Sequence, residues 1–177
     1  ILPAAVSGNN KRIVSMGGLG TNHGLALAIA CKKYNLGCTL LLFKQPVNEL
    51  VRKKLLLFHD LNAELIYTGT IFRAGVHYYL TQRMLKRKAY YLYAGGSNPS
   101  GVIGMINAVF ELKEQINGGI IPCPKLIICA AGSGGTLAGL TLGCQLAEIP
   151  AKVIGIQVSK SHLGPFPVVT TETIKRL

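Results

Sequence analysis

Acidic side chains are scarce in this chain of 177 residues: seven Asp and Glu face nineteen Lys and Arg, for a formal charge of +12. Such a balance invites a nucleic-acid partner. No recognition motif and no run of interleaved aromatics accompanies it, however. The clusters Arg52-Lys53-Lys54 and Lys86-Arg87-Lys88 fall in the later turns of predicted helices, where cations complement the helix dipole. The basic excess is therefore read as a solvated face or as the surroundings of an anionic ligand, with no nucleic acid as partner. Also missing is any apolar run near the roughly 18 residues of a membrane span, so no membrane partner is expected. The N-terminus lacks the charged-then-apolar layout of a signal peptide. There is no CxxC pair, and five cysteines is an odd number. Cys31, Cys129 and Cys144 stand in apolar helix or strand contexts, where a thiol acts as a small core residue. This usage implies a reducing, cytoplasmic compartment without a disulfide framework. The four histidines, at 23, 59, 77 and 162, show no ligand spacing, so no metal site is expected.

What is abundant is apolar. Hydrophobic residues make up 49% of the chain and mean hydropathy is +0.37, as in a parallel sheet covered on both faces. β-type runs at 12–16, 38–43, 63–68, 90–94, 126–131 and 152–158 alternate with helical candidates at 22–35, 46–59, 72–87, 100–117 and 136–147. Strands separated by helices of this length predict right-handed crossovers and an α/β fold with parallel sheets and flanking helices. Asn22 is placed to cap the first helix, Gly37 to end it and Pro46 to start the second. Breaks fall at Gly95-Gly96-Ser97-Asn98-Pro99 and at 117–125. The first of these suggests a boundary between a small lobe, 1–94, and part of a larger one, 95–177. The segment 170–177 reads as a capped helix start that stops within about two turns, too short to be stable alone. With Ile1 at the other end, the chain reads as truncated.

Two glycine-rich loops each sit between a predicted strand and a predicted helix: Gly17-Gly18-Leu19-Gly20-Thr21-Asn22-His23-Gly24 and Gly132-Ser133-Gly134-Gly135-Thr136. A loop without Cβ atoms lets backbone N–H groups face an anion, and the following helix adds the positive end of its dipole. A dinucleotide does not suit them. The pattern G-x-G-x-x-G/A fails at both, with Leu137 and His23 in the last position, and Lys44-Gln45 stands where an acidic ribose ligand is wanted. A phosphate-binding P-loop is excluded because the chain has no Gly-Lys pair. A smaller anion remains, such as a phosphate monoester or a carboxylate. For one loop alone, glycines that merely permit a tight turn explain the sequence equally well; two in one chain favour a phosphorylated small molecule.

Together with Gly95-Gly96-Ser97-Asn98-Pro99-Ser100-Gly101, these loops occur in an order and spacing that resembles one branch of pyridoxal-phosphate enzymes. That branch contains D-cysteine desulfhydrase and 1-aminocyclopropane-1-carboxylate deaminase and has the tryptophan synthase β-like fold, fold type II. The resemblance runs over nearly the whole chain. It implies pyridoxal 5′-phosphate as cofactor, its phosphate held by Gly132, Ser133, Gly134, Gly135 and Thr136, and Asn22 bonded to the 3′-oxygen of its ring. Thr21 matches a serine beside the substrate and is the catalytic candidate; its extra methyl narrows its rotamers and takes space, which weakens the case for cyclopropane ring opening without selecting among the substrates. Thr21, Asn22, His23, Gly96 and Ser97 are implied to bind the substrate, a small amino acid. A homodimer is implied as well. Read without the resemblance, Thr21 and Asn22 are alternatively plain helix caps and Ser97-Asn98-Pro99 an ordinary turn.

The family's chemistry needs a lysine that forms a Schiff base with the cofactor, located upstream of the first glycine loop. Only Lys11 is available there, adjoining the first strand at the wrong spacing. Two readings therefore stand: part of a lyase or deaminase giving a 2-oxo acid and ammonia, with sulfide if the substrate is D-cysteine, or a non-catalytic phosphate-ligand module lacking that lysine.

Overall fold

A computed structural model of the chain describes residues 10–84, 89–163 and 166–177. The cluster Lys86, Arg87 and Lys88, the last residues of the helix expected over 72–87, and Gly8, Asn9 and Pro165 lie outside the described residues. The chain divides into two compact units, Ile1–Gly96 and Ser97–Leu177.

The first unit is built on a four-stranded parallel sheet of β1 (Arg12–Gly18), β2 (Gly37–Phe43), β3 (Glu64–Gly69) and β4 (Tyr90–Tyr91), in the order β3-β2-β1-β4. Ile13 pairs with both Cys38 and Tyr90. Successive side chains of a strand point to opposite faces, and here both faces are covered. Ile13, Cys38, Leu40 and Leu42 pack with Leu27, Ala28 and Cys31 of α1 (Asn22–Lys33) and Phe58 of α2 (Glu49–Asp60). Val14, Met16 and Leu41 pack on the opposite side with Ala74 and Tyr78 of α3 (Ile71–Met84). The result is helix, sheet, helix. Ile13, Leu40, Leu42 and Phe58 are at most 1% exposed, each contributing roughly 1.5–3 kcal/mol of transfer free energy.

Three helix boundaries differ from the sequence expectation, each because a side chain nearer the helix wins. Thr21, not Asn22, caps α1: its Oγ1 accepts from Gly24 N–H at 3.1 Å, and Asn22 is the first helical residue. Asn35, at φ 55°, makes the left-handed stop, so Gly37 is free to open β2. Asn48 caps α2 by accepting from Val51 N–H at 2.9 Å, leaving Pro46 outside the helix. Arg52, Lys53 and Lys54 thus lie in the first half of α2 and do not serve its C-terminal dipole. The strand expected over 90–94 ends at Tyr91 and gives way to a single 3₁₀ turn, Ala94–Gly96, with Gly95 and Gly96 both left-handed at φ 73° and 67°.

The second unit holds α4 (Pro99–Asn117), β5 (Leu126–Ala131), α5 (Gly135–Leu146) and β6 (Lys152–Gln157), followed by the short hairpin β7 (His162–Leu163) and β8 (Phe166–Pro167) and by α6 (Thr171–Lys175). β5 and β6 are parallel and in register from Leu126 opposite Lys152 to Ala131 opposite Gln157. Val109, Cys144, Ala147 and Ile149 form the core between helices and sheet. At Gly143 a Cβ would come within 2.8 Å of Val109, so glycine there sets how closely α5 approaches α4. β5 is covered on one face only: Ile128 is 61% exposed. Cys144 is buried as expected of a core thiol, but Cys129 is only half-buried on that strand. No helix among the described residues is long and apolar enough to cross a membrane.

Candidate functional site

The first glycine loop closes between β1 and α1. Leu19 N–H donates to Phe43 O (3.2 Å) and Thr21 N–H to Gly18 O (3.0 Å), a tight turn that sets Thr21, Asn22 and His23 side by side at the helix start. Thr21 folds back over Gly17, where a Cβ would lie 2.7 Å from Thr21 Cβ. Having accepted from Gly24, the Thr21 hydroxyl still has its own hydrogen to donate. Asn22 is exposed, and its Oδ1 accepts from Lys54 Nζ at 2.5 Å; the same amine donates to Gly20 O at 2.9 Å. His23 turns inward rather than onto the surface. Its Nε2 lies 2.9 Å from Oγ of Ser15, which is fully buried on the α1 side of β1. Burial lowers the His23 pKa, so the ring is neutral at pH 7.

The second loop, between β5 and α5, is organised differently. Gly134 sits at φ 88°, ψ −13°, a left-handed conformation that strains any residue with a Cβ, and a Cβ there would lie 2.7 Å from Ile174 Cγ1. Gly134 is also the residue that opens α5, so no side chain caps that helix. Every other α-helix start among the described residues is capped: Thr21, Asn48, Thr70, Asn98 and Thr170 each accept from the amide three residues on. Among the described residues the amides of residues 133–136 have no acceptor. Four unpaired donors at the positive end of a 12-residue helix make a site for an anion. Side chains brace it. Ser97 Oγ donates to Ser133 Oγ at 2.6 Å, and Ser159 Oγ donates to Gly132 O at 2.6 Å. A Cβ on Gly135 would meet Ser97 Oγ at 2.9 Å. Thr136 stands exposed on the first turn of α5.

The residues singled out in the sequence thus form two clusters, one in each unit. Thr21, Asn22 and His23 stand on the first turn of α1, against which the turn holding Gly96 packs. Gly132, Ser133, Gly134, Gly135 and Thr136 form the second cluster with Ser97. Asn98 is the cap of α4, accepting from Gly101 N–H at 2.7 Å, as a turn reading of that segment requires. Lys11 is exposed at the start of β1, its carbonyl accepting from Gly37 N–H. Two polar groups escaped the sequence reading: Ser15, hidden in an apolar strand, and Lys54. The second had a faint signal, because it shares the buried stripe of α2 with Val51 and Phe58.

A left-handed glycine, an uncapped helix and amides without an acceptor among the described residues suit a phosphorylated small molecule on a parallel α/β scaffold. The family model for pyridoxal-phosphate dependent enzymes matches residues 1–170, and the chain belongs to that family. A relative from Thermotoga maritima, which bears a provisional 1-aminocyclopropane-1-carboxylate deaminase name, is 34% identical over 87% of this chain and 49% of its own length. The bifunctional D-cysteine desulfhydrase/1-aminocyclopropane-1-carboxylate deaminase of Arabidopsis thaliana is 30% identical over 89% of this chain and 42% of its own. Among solved structures, an ACC deaminase homologue superposes with a TM-score of 0.75 at 26% identity, over 99% of this chain and 53% of its own. The chain spans about half the length of the curated relatives it matches. The fold is that of the fold type II pyridoxal-phosphate enzymes.

Proposed function

We propose that this chain forms part of a pyridoxal-phosphate-dependent lyase or deaminase acting on a small amino acid, in the manner of D-cysteine desulfhydrase or 1-aminocyclopropane-1-carboxylate deaminase. Its products are a 2-oxo acid and ammonia, with sulfide when the substrate is D-cysteine. The observation that carries this reading is the start of α5, where the amides of residues 133–136 are free and a glycine replaces the usual side-chain cap. The four amides would hold a phosphate there, and the hydroxyls of Ser133 and Thr136 would add two more donors.

Bound in this way, the coenzyme supplies an electron-withdrawing ring that stabilises negative charge developing on the substrate's carbons. The chain's own groups hold and orient. Residues 132–136 would hold the phosphate, Asn22 would donate to the 3′-oxygen, and the free hydrogen of the Thr21 hydroxyl would serve the substrate's carboxylate. His23, Gly96 and Ser97 complete the substrate surroundings. His23, neutral by its burial and held against Ser15, would bring no charge to them. Five free thiols suit a reducing, cytoplasmic setting, and the resemblance implies a homodimer, which light scattering of the purified protein checks.

The test is spectroscopic. Full-length protein mixed with pyridoxal 5′-phosphate should develop a visible absorbance band, and borohydride reduction followed by peptide mapping should mark one lysine. Product assays with D-cysteine and with 1-aminocyclopropane-1-carboxylate then separate the two substrates. Binding of the coenzyme without any lysine adduct would replace this reading by a non-catalytic phosphate-ligand module.

A further inference from the structure

We propose that Lys54 is a positioning residue that makes Asn22 a one-way donor, so that the site selects a ligand oxygen in its anionic form. Lys54 is only 9% exposed, and its Nζ donates to Gly20 O and to Asn22 Oδ1. An ammonium has three donors and no acceptor, so the amide oxygen of Asn22 has to face it. That choice removes the usual ambiguity of an asparagine amide, in which oxygen and nitrogen exchange places by a half-turn. The NH₂ end of Asn22 is left to point away from Lys54, on a side chain that is exposed at the helix start. Asn22 thereby presents hydrogens alone, with a lysine charge directly behind them. No carboxylate among the described residues pairs with that charge. The other titratable side chain of the turn, His23, faces Ser15 on β1 instead. A donor backed by a cation binds an oxyanion more strongly than a neutral hydroxyl.

This inference rests on the reading that Asn22 meets the 3′-oxygen of the coenzyme, and it adds that the oxygen is bound as the anion. The test uses full-length protein loaded with pyridoxal 5′-phosphate at one fixed neutral pH. The ratio of its long-wavelength to short-wavelength absorbance bands reports the anionic fraction of that oxygen. In Lys54→Met the ratio is expected to fall roughly tenfold, equivalent to one unit in the acidity of the oxygen; Lys54→Arg is expected to keep it. Lys54→Gln, which can still donate to Gly20 O, serves where the methionine variant does not fold, and its ratio should fall likewise. Asn22→Ala separates the two levels of the claim. If it changes the bands and neither Lys54 variant does, Lys54 is only structural and the inference is wrong. If Asn22→Ala leaves the bands untouched as well, the placement of Asn22 at the coenzyme is wrong with it.

Discussion

The two glycine loops look alike in sequence and do opposite things with their polar groups. The loop before α1 consumes its own: Thr21 caps the helix, Lys54 takes the Gly20 carbonyl and the Asn22 amide oxygen, and Ser15 holds His23. The loop before α5 withholds its own, opening the helix on a left-handed glycine and leaving the amides of residues 133–136 unmatched. A satisfied loop fixes the direction of a few side chains. A loop that keeps its donors unspent can offer them to an anion. Glycine content alone does not distinguish the two; the residue in the capping position does, threonine in one case and glycine in the other.

Substitutions that act on one loop and spare the other test this contrast. The largest effect is expected from Gly134→Val, which forces a β-branched residue to φ 88° with its Cβ 2.7 Å from Ile174. Strain of about 3 kcal/mol in the cradle should weaken pyridoxal 5′-phosphate binding by roughly 100-fold in a fluorescence titration; unchanged affinity would mean that the phosphate sits elsewhere. Next comes Ser97→Ala, which removes the brace on Ser133. Loss of about 1 kcal/mol should lower coenzyme affinity about fivefold. Thr21→Val deletes the cap on α1 at nearly constant shape. It should cost about 1 kcal/mol in denaturant unfolding while leaving affinity for inorganic phosphate intact. An equal loss of phosphate binding would show that the loops are not independent.

Acid gives a subtler test of the first loop. Burial holds the folded-state pKa of His23 below its ordinary value of 6.5. The unfolded chain therefore takes up this proton first as pH falls, so the contribution of neutral His23 is present above pH 6.5 and is lost as pH drops through the folded-state value. His23→Gln should flatten that limb of a stability profile; an unaltered slope would remove His23 as the cause. The smallest effect is expected at Lys53, whose exposed pair with Glu49 is worth at most about 0.5 kcal/mol. Lys53→Ala should be nearly silent beside any substitution of its buried neighbour Lys54.

Much of the scaffold could be read from the chain because strand and helix signals agree with it. Apolar runs such as residues 38–43 and 126–131, alternating with helical stretches, specify parallel strands crossed over by helices, and the structure has them. What the sequence blurred was the detail of caps. Asn22 and Thr21 are both good caps, and only the turn after Gly18 decides between them. Pro46 suits a helix start, but Asn48 two residues on has the better acceptor. The continuous apolar run of β5 predicts burial on both faces, whereas Ile128 is left outside by helices that cover one side. Of the candidate site, the two glycine loops were legible and the partners their side chains take were not. Ser15 looks like a polar interruption of a strand, and Lys54 like one more surface cation, until the fold brings them against His23, 8 residues away, and Asn22, 32 residues away.

The glycine at 143 has a reach beyond its own neighbourhood. By letting α5 lie close along α4, it fixes the spacing of two rods whose upstream ends carry Gly135 and Ser97. A methyl group inserted there acts as a wedge, and leverage along the rods would part the Ser97 and Ser133 hydroxyls without touching either. Coenzyme affinity in this protein should therefore respond to side-chain volume two helical turns away from the anion.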